Sequence, residues 1–351
     1  MRNRCVAHAL TGMLDGVPER IAEVTGFLAE VLAPRAPLTV IVDGGDHGAA
    51  AAFAARLAEA FPPSARAWTV DAVLGLSGPT GSRVDSALNV LEPAADRVIV
   101  YLRSGRRGNG EGERRAQVVI DHHDPQWPVI RHVHPRLADP ERWYLTESRA
   151  FFGARAADWD TRFGDDLPAY AKAVETAVPC PGDLALDVGC GTGRALPALV
   201  AAVGPAGRVL GFDVTPAMLD AARDAGRDDC AGLVLADARR LPLPDAVAGL
   251  VFAAGLVQHL PDPAAGLAEL ARVTRPGGHL MIFHPSGRVA LAARHGRTLR
   301  PDEPLNEENL GPLLVAAGWE LTLYEDPDDH FLALAVRRRI GSPAQGRSAN
   351  S

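Results

Sequence analysis

An apolar run, Leu184-Ala185-Leu186-Asp187-Val188, leads directly into Gly189-Cys190-Gly191-Thr192-Gly193, and then into an Ala/Leu-rich stretch that reads as helix to about Val203. No other feature narrows the fold as far. A strand that ends in three alternate glycines and a helix belongs to an open, largely parallel sheet. Glycine lets the backbone turn tightly and lets a ligand approach the main chain. The helix start adds N–H groups without partners in the helix. Spacing then sorts the ligand classes. A phosphate loop needs Gly-x-x-x-x-Gly-Lys-Ser/Thr, and there is no lysine here. A dinucleotide loop needs Gly-x-Gly-x-x-Gly. Counted from Gly189 and Gly191, its third glycine falls on Arg194. What remains is Asp-x-Gly-x-Gly-x-Gly, which alone is also compatible with a plain tight turn.

The rest of the second half supplies further signals in order. Asp213 ends the next strand, in Gly211-Phe212-Asp213-Val214. A carboxylate at the carboxyl end of a strand can accept two hydrogen bonds in the ligand crevice of such a sheet, or simply cap the next helix. Asp237-Ala238 follows a third strand, where a turn residue is the plain alternative. Gln258-His259-Leu260-Pro261-Asp262 and the stretch from Arg272 through Pro276-Gly277-Gly278 to Leu280 come after the fourth.

Together these resemble the class I S-adenosylmethionine-dependent methyltransferases, in the small-molecule branch that includes the ubiquinone/menaquinone enzymes. Phe151-Phe152-Gly153 through Trp159-Asp160 resembles the helical cap that precedes their glycine motif. The resemblance covers about 147–338. It implies a Rossmann-like α/β fold, a mostly parallel seven-stranded sheet with an antiparallel C-terminal hairpin. It also implies that S-adenosyl-L-methionine is held by Asp187, Val188, Gly189, Cys190, Gly191, Gly193, Asp213, Val214, Asp237, Ala238 and Ala254. In that family Asp213 takes the ribose hydroxyls and Asp237 the adenine amino group, with Ala238 giving a backbone donor. Helices are expected at 147–158, 165–177, 263–274 and 306–317. The hairpin is expected from 320–324 and 330–337, turning at Asp326-Pro327-Asp328-Asp329.

Methyl transfer needs alignment and exclusion of water more than acid–base groups, and a base only where the acceptor must lose a proton. His259, after the fourth strand, is the best candidate base, but the reading its position favours is a structural imidazole contacting backbone. His284 is a weaker candidate. Cys190 reads as packing. Amino methyltransferases of DNA bases carry Asn/Asp-Pro-Pro-Tyr/Phe after the fourth strand, where this chain has Ala253-Ala254-Gly255-Leu256-Val257. The cytosine-C5 enzymes carry Pro-Cys there, whereas Pro179-Cys180 precedes the glycine motif. A small organic acceptor is therefore expected. An RNA or protein methyltransferase, or a cofactor-binding scaffold without catalysis, stays open.

The first half carries a second glycine turn. Val40-Ile41-Val42-Asp43-Gly44-Gly45-Asp46-His47-Gly48-Ala49-Ala50-Ala51-Ala52-Phe53-Ala54 resembles the start of a uridine-kinase-type P-loop domain. The lysine of that pattern falls on Ala50 and the magnesium-binding hydroxyl on Ala51, so the resemblance implies a degenerate, inactive kinase-like domain. An unrelated α/β domain with a tight turn is the alternative. Asp121-His122-His123-Asp124 and Arg131-His132-Val133-His134 bring histidines together without a fixed third ligand, so no metal site is expected. Arg103, Arg106, Arg107, Arg114 and Arg115 flank a glycine-rich loop that also holds Glu111 and Glu113, and they read as a solvated loop.

At 351 residues, 47% hydrophobic, the chain can hold two cores. A degenerate kinase-like α/β domain is expected over 1–145, a methyltransferase domain over 146–340 and a disordered tail over 341–351. The formal net charge of -7 argues against a nucleic-acid partner. Lys172 is the single lysine. Cys5, Cys180, Cys190 and Cys230 have neither disulfide-framework nor zinc spacing. Charges interrupt every apolar stretch before it could span a membrane, and a cytoplasmic location is expected.

Overall fold

The computed structural model describes residues 17–35, 39–61, 69–72, 97–104, 111–294 and 299–339. Cys5, Arg106, Arg107, most of the glycine-rich loop and the tail from 341 lie outside them. The chain divides into two units, Met1–Glu147 with Ala293–Thr298, and Ser148–Ala292 with Leu299–Ser351.

In the first unit the β-branched run of β1 (Thr39–Gly44) is buried through Val40, Ile41 and Val42. It pairs in parallel with β2 (Thr69–Ala72) on one side and β3 (Arg97–Arg103) on the other. β4 (Val118–Asp121) extends the parallel set, and β5 (Val129–Val133) returns antiparallel to it. The order β2-β1-β3-β4-β5 puts a change of winding direction between β1 and β3. The helix Val17–Leu32 is anchored by Arg20, which is 3% exposed. Its Nε donates to the Pro128 carbonyl at 3.0 Å, and Nη2 pairs with the Glu147 carboxylate. Glu147 Oε2 also accepts from the Ile130 N–H at 2.7 Å.

In the second unit β6 (Leu184–Val188) lies between β7 (Arg208–Asp213) and β9 (Ala248–Ala254), parallel to both. β8 (Gly232–Leu235) continues beyond β7, and β10 (Thr274–His284) lies beyond β9. β12 (Phe331–Arg337) runs antiparallel between β10 and the edge strand β11 (Trp319–Glu325). The full order is β11-β12-β10-β9-β6-β7-β8. The mostly parallel α/β sheet with an antiparallel C-terminal hairpin is therefore present. The Pro276-Gly277-Gly278 stretch falls where the β9–β10 register shifts, and Gly277 takes φ +81°. Leu196, Leu199 and Val203 of helix Leu196–Val203 pack on Ala185, Val209, Phe252 and Met281. Burying each such leucine is worth about 1.5–3 kcal/mol. Among the described residues, no helix is long and apolar enough to cross a membrane.

The helix expected over 147–158 is instead two, Tyr144–Gly153 and Trp159–Phe163. Arg155 ends the first by folding back. Its Nη1 donates to the Phe151 carbonyl at 2.7 Å, and its guanidinium lies 3.9 Å from the Phe151 ring centroid. The helix after the glycine motif starts at Leu196, beyond a turn over 191–195. A helix Arg288–Arg294 was not expected. Its start is fixed by Asp326, which accepts from the Arg288 N–H at 2.7 Å and from Nε at 2.9 Å.

Candidate functional site

β6 passes its chain to β7 on one side, and the sheet resumes with β9 on the other. The carboxyl end of β6 is thus the topological switch point, where open α/β sheets bind ligands. Gly189, Gly191 and Gly193 follow, at φ +75°, +54° and +80°. The left-handed region disfavours any side chain at all three. A Cβ on Gly189 would also lie 3.1 Å from Leu256 Cδ1, which follows β9. The Gly189 and Cys190 N–H groups both donate to the Phe212 carbonyl, at 2.7 and 2.9 Å, and so bind the loop to the end of β7. The Cys190 side chain fills the space where Gly211 lacks one, and burial pushes its thiol pKa well up. Packing is the role its surroundings support.

Asp213 is held at this loop. Its Oδ2 accepts from the Gly191 N–H at 2.8 Å, and its Oδ1 from the Thr215 N–H at 2.8 Å. Asp187, in β6, is 1% exposed, and its Oδ2 has no hydrogen-bond partner among the described residues. Burial, and secondarily the Asp213 charge, raise the Asp187 carboxyl to about 8. Two carboxyl groups, one with an unused buried oxygen, thus lie at a glycine loop. Such an arrangement suits a ligand that brings hydroxyl donors.

Val214, next along, accepts from Arg149 Nε at 2.9 Å through its carbonyl. The Ala236 N–H donates to the Asp213 carbonyl at 2.9 Å, which brings Asp237 and the buried Ala238 beside the end of β7. The Asp237 carboxylate is itself engaged by Arg239, from the backbone N–H at 2.9 Å and from Nη2 at 2.6 Å. A ligand at Asp237 would have to share that pair. Ala254 ends β9, and the Gly255 N–H donates to the Phe283 carbonyl at 2.9 Å.

His259 sits in the short turn Val257–His259, half-buried, with its ring edge-on to Phe152 at 5.3 Å between centroids. Phe152 also meets Trp159 at 5.9 Å. His284 Nδ1 faces the Ser286 carbonyl at 3.0 Å and must donate there, which leaves Nε2 as its acceptor when neutral. Residues missed by sequence reasoning are Arg194, Asp160, Asp166 and Arg227, which join the cap segment to the glycine loop. Arg194 stood out only as a residue where a dinucleotide loop would have glycine.

The first unit's turn is built differently. Asp43 Oδ1 accepts from the Gly44 N–H at 2.7 Å. Asp46 caps helix His47–Ala60 by accepting from the Ala49 N–H at 3.1 Å. Ala50 is buried in that helix. His122 is buried edge-on against Phe53, and burial lowers its pKa. His123 Nδ1 lies 3.1 Å from Asp121, and His134 Nδ1 accepts from the Arg136 N–H. Arg103 pairs with Glu113 at 2.6 Å. No cluster of three or more metal-ligating side chains occurs among the described residues.

The family model described as a methyltransferase domain matches residues 186–282, the stretch from β6 to β10. An uncharacterized 37.1 kDa protein in transposon TN4556 of Streptomyces fradiae is 42% identical over 106 residues, 30% of this chain and 31% of that one. The ubiquinone/menaquinone biosynthesis C-methyltransferase UbiE of Burkholderia thailandensis is 37% identical over 107 residues, 29% of this chain and 43% of its own. The chain thus spans less than half the length of these curated relatives. A SAM-dependent methyltransferase structure from Aquifex aeolicus, 24% identical, aligns over 53% of this chain and 98% of its own with a TM-score of 0.44.

Proposed function

We propose that the C-terminal half, a class I methyltransferase domain whose cofactor is S-adenosylmethionine, transfers a methyl group to a small organic acceptor. The observation that carries this is the Asp213 carboxylate bonded to the Gly191 N–H at the switch point, together with the unpartnered Asp187 oxygen. Bound there, the cofactor supplies an electrophilic methyl carbon on a sulfur that leaves readily.

The chain's own groups then have distinct tasks. Asp213 would accept the ribose hydroxyls. Gly189, Gly191 and Gly193 keep side chains out of the cradle. Ala254, Leu256, Phe152 and Trp159 help to exclude water. Where the acceptor must lose a proton, His259 takes it, its ring held by Phe152. The end of β9 lacks the polar motif of DNA-base enzymes, and the stretch similar to a quinone-pathway C-methyltransferase supports a small acceptor without choosing the atom. Incubation with methyl-labelled cofactor and a cell extract tests the reading. Label in a small organic product is the expected result. Label only in RNA or protein, or none, would sink it.

The N-terminal half we read as a kinase-like domain without phosphoryl transfer. Ala50 and Ala51 supply neither the ammonium nor the hydroxyl of a P-loop. Asp46 already occupies the helix start where a phosphate would bind. The full chain should show no magnesium-dependent phosphorylation of nucleosides. ATP consumption that vanishes on mutating this turn would overturn this.

A further inference from the structure

Arg194 lies one residue past the glycine loop and is 5% exposed. Its fork makes four hydrogen bonds. Nε donates to Asp166 Oδ1 at 2.7 Å, and Nη2 contacts the same oxygen. Nη1 donates to Asp160 Oδ1 at 3.0 Å, and Nη2 to the Gly164 carbonyl at 2.6 Å. Asp160 makes two further contacts, one of them to the loop. It accepts from the Thr192 hydroxyl at 2.6 Å and pairs with Arg227 at 2.7 Å. Arg227 Nη1 in turn donates to the Thr192 carbonyl at 2.5 Å. Burial disfavours the charged guanidinium of Arg194, but the Asp166 and Asp160 carboxylates outweigh it and raise its pKa. Burial would raise Asp160, but the Thr192 hydroxyl, Arg227 and Arg194 outweigh it and hold its carboxyl low. Burial, which outweighs the Arg194 contacts, raises the Asp166 carboxyl.

Burying a guanidinium costs several kcal/mol unless every donor is met, so a plain turn would have no use for one. What this cluster does is mechanical. It fastens segment 158–166 to the loop at Thr192 and Arg194. The same segment carries Trp159, which meets Phe152, and Phe152 meets His259 after β9. The cap is thereby tied to both walls of the switch-point crevice.

We propose that Arg194 is a positioning residue that clamps the cap segment across the crevice and so sets how fast S-adenosylmethionine leaves. This rests on the function proposed above, that the glycine loop holds the cofactor. The clamp acts through Asp160 and Asp166 without touching reacting atoms.

The test measures cofactor binding by calorimetry and dissociation by stopped flow, on the full chain and on Arg194→Gln, Arg194→Lys and Asp160→Asn. Arg194→Gln should raise the dissociation rate by about tenfold or more and change association less. Arg194→Lys, which keeps the charge but loses the fork, should recover part of that loss. Asp160→Asn should also speed release, and the two changes combined should fall short of additivity because they open one clamp. A folded Arg194→Gln chain with the wild-type dissociation rate would overturn the proposal. If Arg194→Gln does not fold, an Asp160→Asn chain that folds and releases cofactor at the wild-type rate would overturn it equally. Wild-type chain that binds no S-adenosylmethionine would remove the proposed function, and the clamp with it. Binding that is intact but indifferent to both substitutions removes the clamp alone.

Discussion

Two glycine turns follow two inner parallel strands, each at the point where its sheet changes winding direction. After β1 two carboxylates bond within the turn. Asp43 takes the N–H of Gly44, Asp46 takes the N–H of Ala49, and Gly112 backs so closely onto Asp43 that a Cβ there would lie 2.5 Å from Oδ2. Neither Gly44 nor Gly48 takes a left-handed φ. After β6 three glycines are left-handed, the capping carboxylate comes from the neighbouring strand, and a buried Asp187 oxygen is unpartnered among the described residues. Glycine content alone does not describe either turn. What differs is the backbone, left-handed at three positions after β6, and the source of the carboxylate, which after β6 is the neighbouring strand and after β1 the turn itself.

The contrast can be broken most forcefully at Asp187. The folded unit holds this carboxyl protonated up to about pH 8, whereas the unfolded chain releases the proton near pH 4. Its contribution to stability is full below that lower value and is lost as pH rises towards 8, at about 1.4 kcal/mol per pH unit. Asp187→Asn is neutral throughout. Denaturant titrations without cofactor should show its margin over wild type growing by roughly 2–3 kcal/mol from pH 5 to pH 7. An unchanged slope would mean that Asp187 is not the buried acid described.

Asp213→Ala comes next. It should weaken S-adenosylmethionine binding by about 1.5–3 kcal/mol in calorimetry, and unchanged affinity in a folded variant would remove Asp213 from the site. Gly193→Ala should cost the second unit about 1–2 kcal/mol, read as a lower denaturant midpoint, since its φ is left-handed and its Cβ would lie 2.7 Å from Leu196 Cδ1. Asp46→Ala should cost the first unit about 1 kcal/mol in the same measurement and leave cofactor affinity alone. Smallest, and opposite in sign, is Gly48→Ala. Its Cβ would meet only Asp46 Oδ1 at 3.4 Å, and a gain of about 0.4–1 kcal/mol is expected. A loss there would mean that the first turn is as demanding as the second.

Local chemistry explains what the sequence made legible. β6 is a five-residue strand, apolar but for Asp187, between Gly182 and Gly189, and its alternation with helices was enough to place it in a parallel sheet. The spacing of Gly189, Gly191, Gly193 and Asp213 put the glycine loop beside the next strand, and the Gly191–Asp213 bond is that adjacency. The break at 154–158 was not legible. Gly153-Ala154-Arg155-Ala156-Ala157 is mostly helix-forming, and the chain turns there because Arg155 folds onto Phe151 and Trp159 meets Phe152. Helix Arg288–Arg294 was hidden for a similar reason, since Asp326, far along the chain, supplies its anchor. Arg194 was visible as an exception to a pattern, but its partners Asp160 and Asp166 lie about 30 residues earlier and form no motif with it.

The strand order of the second sheet has a consequence for how the chain is made. β11 is synthesised before β12, yet its sheet partner is β12, which also covers the outer side of β10. Until residues 331–337 leave the ribosome, β11 has no strand to join and β10 presents an open edge of the kind that recruits other chains. The first unit's sheet, by contrast, is complete with β5 at Val133. Synthesis therefore closes one sheet early and leaves the other open until β12, which is the interval in which a nascent chain of this design is most exposed to misassociation.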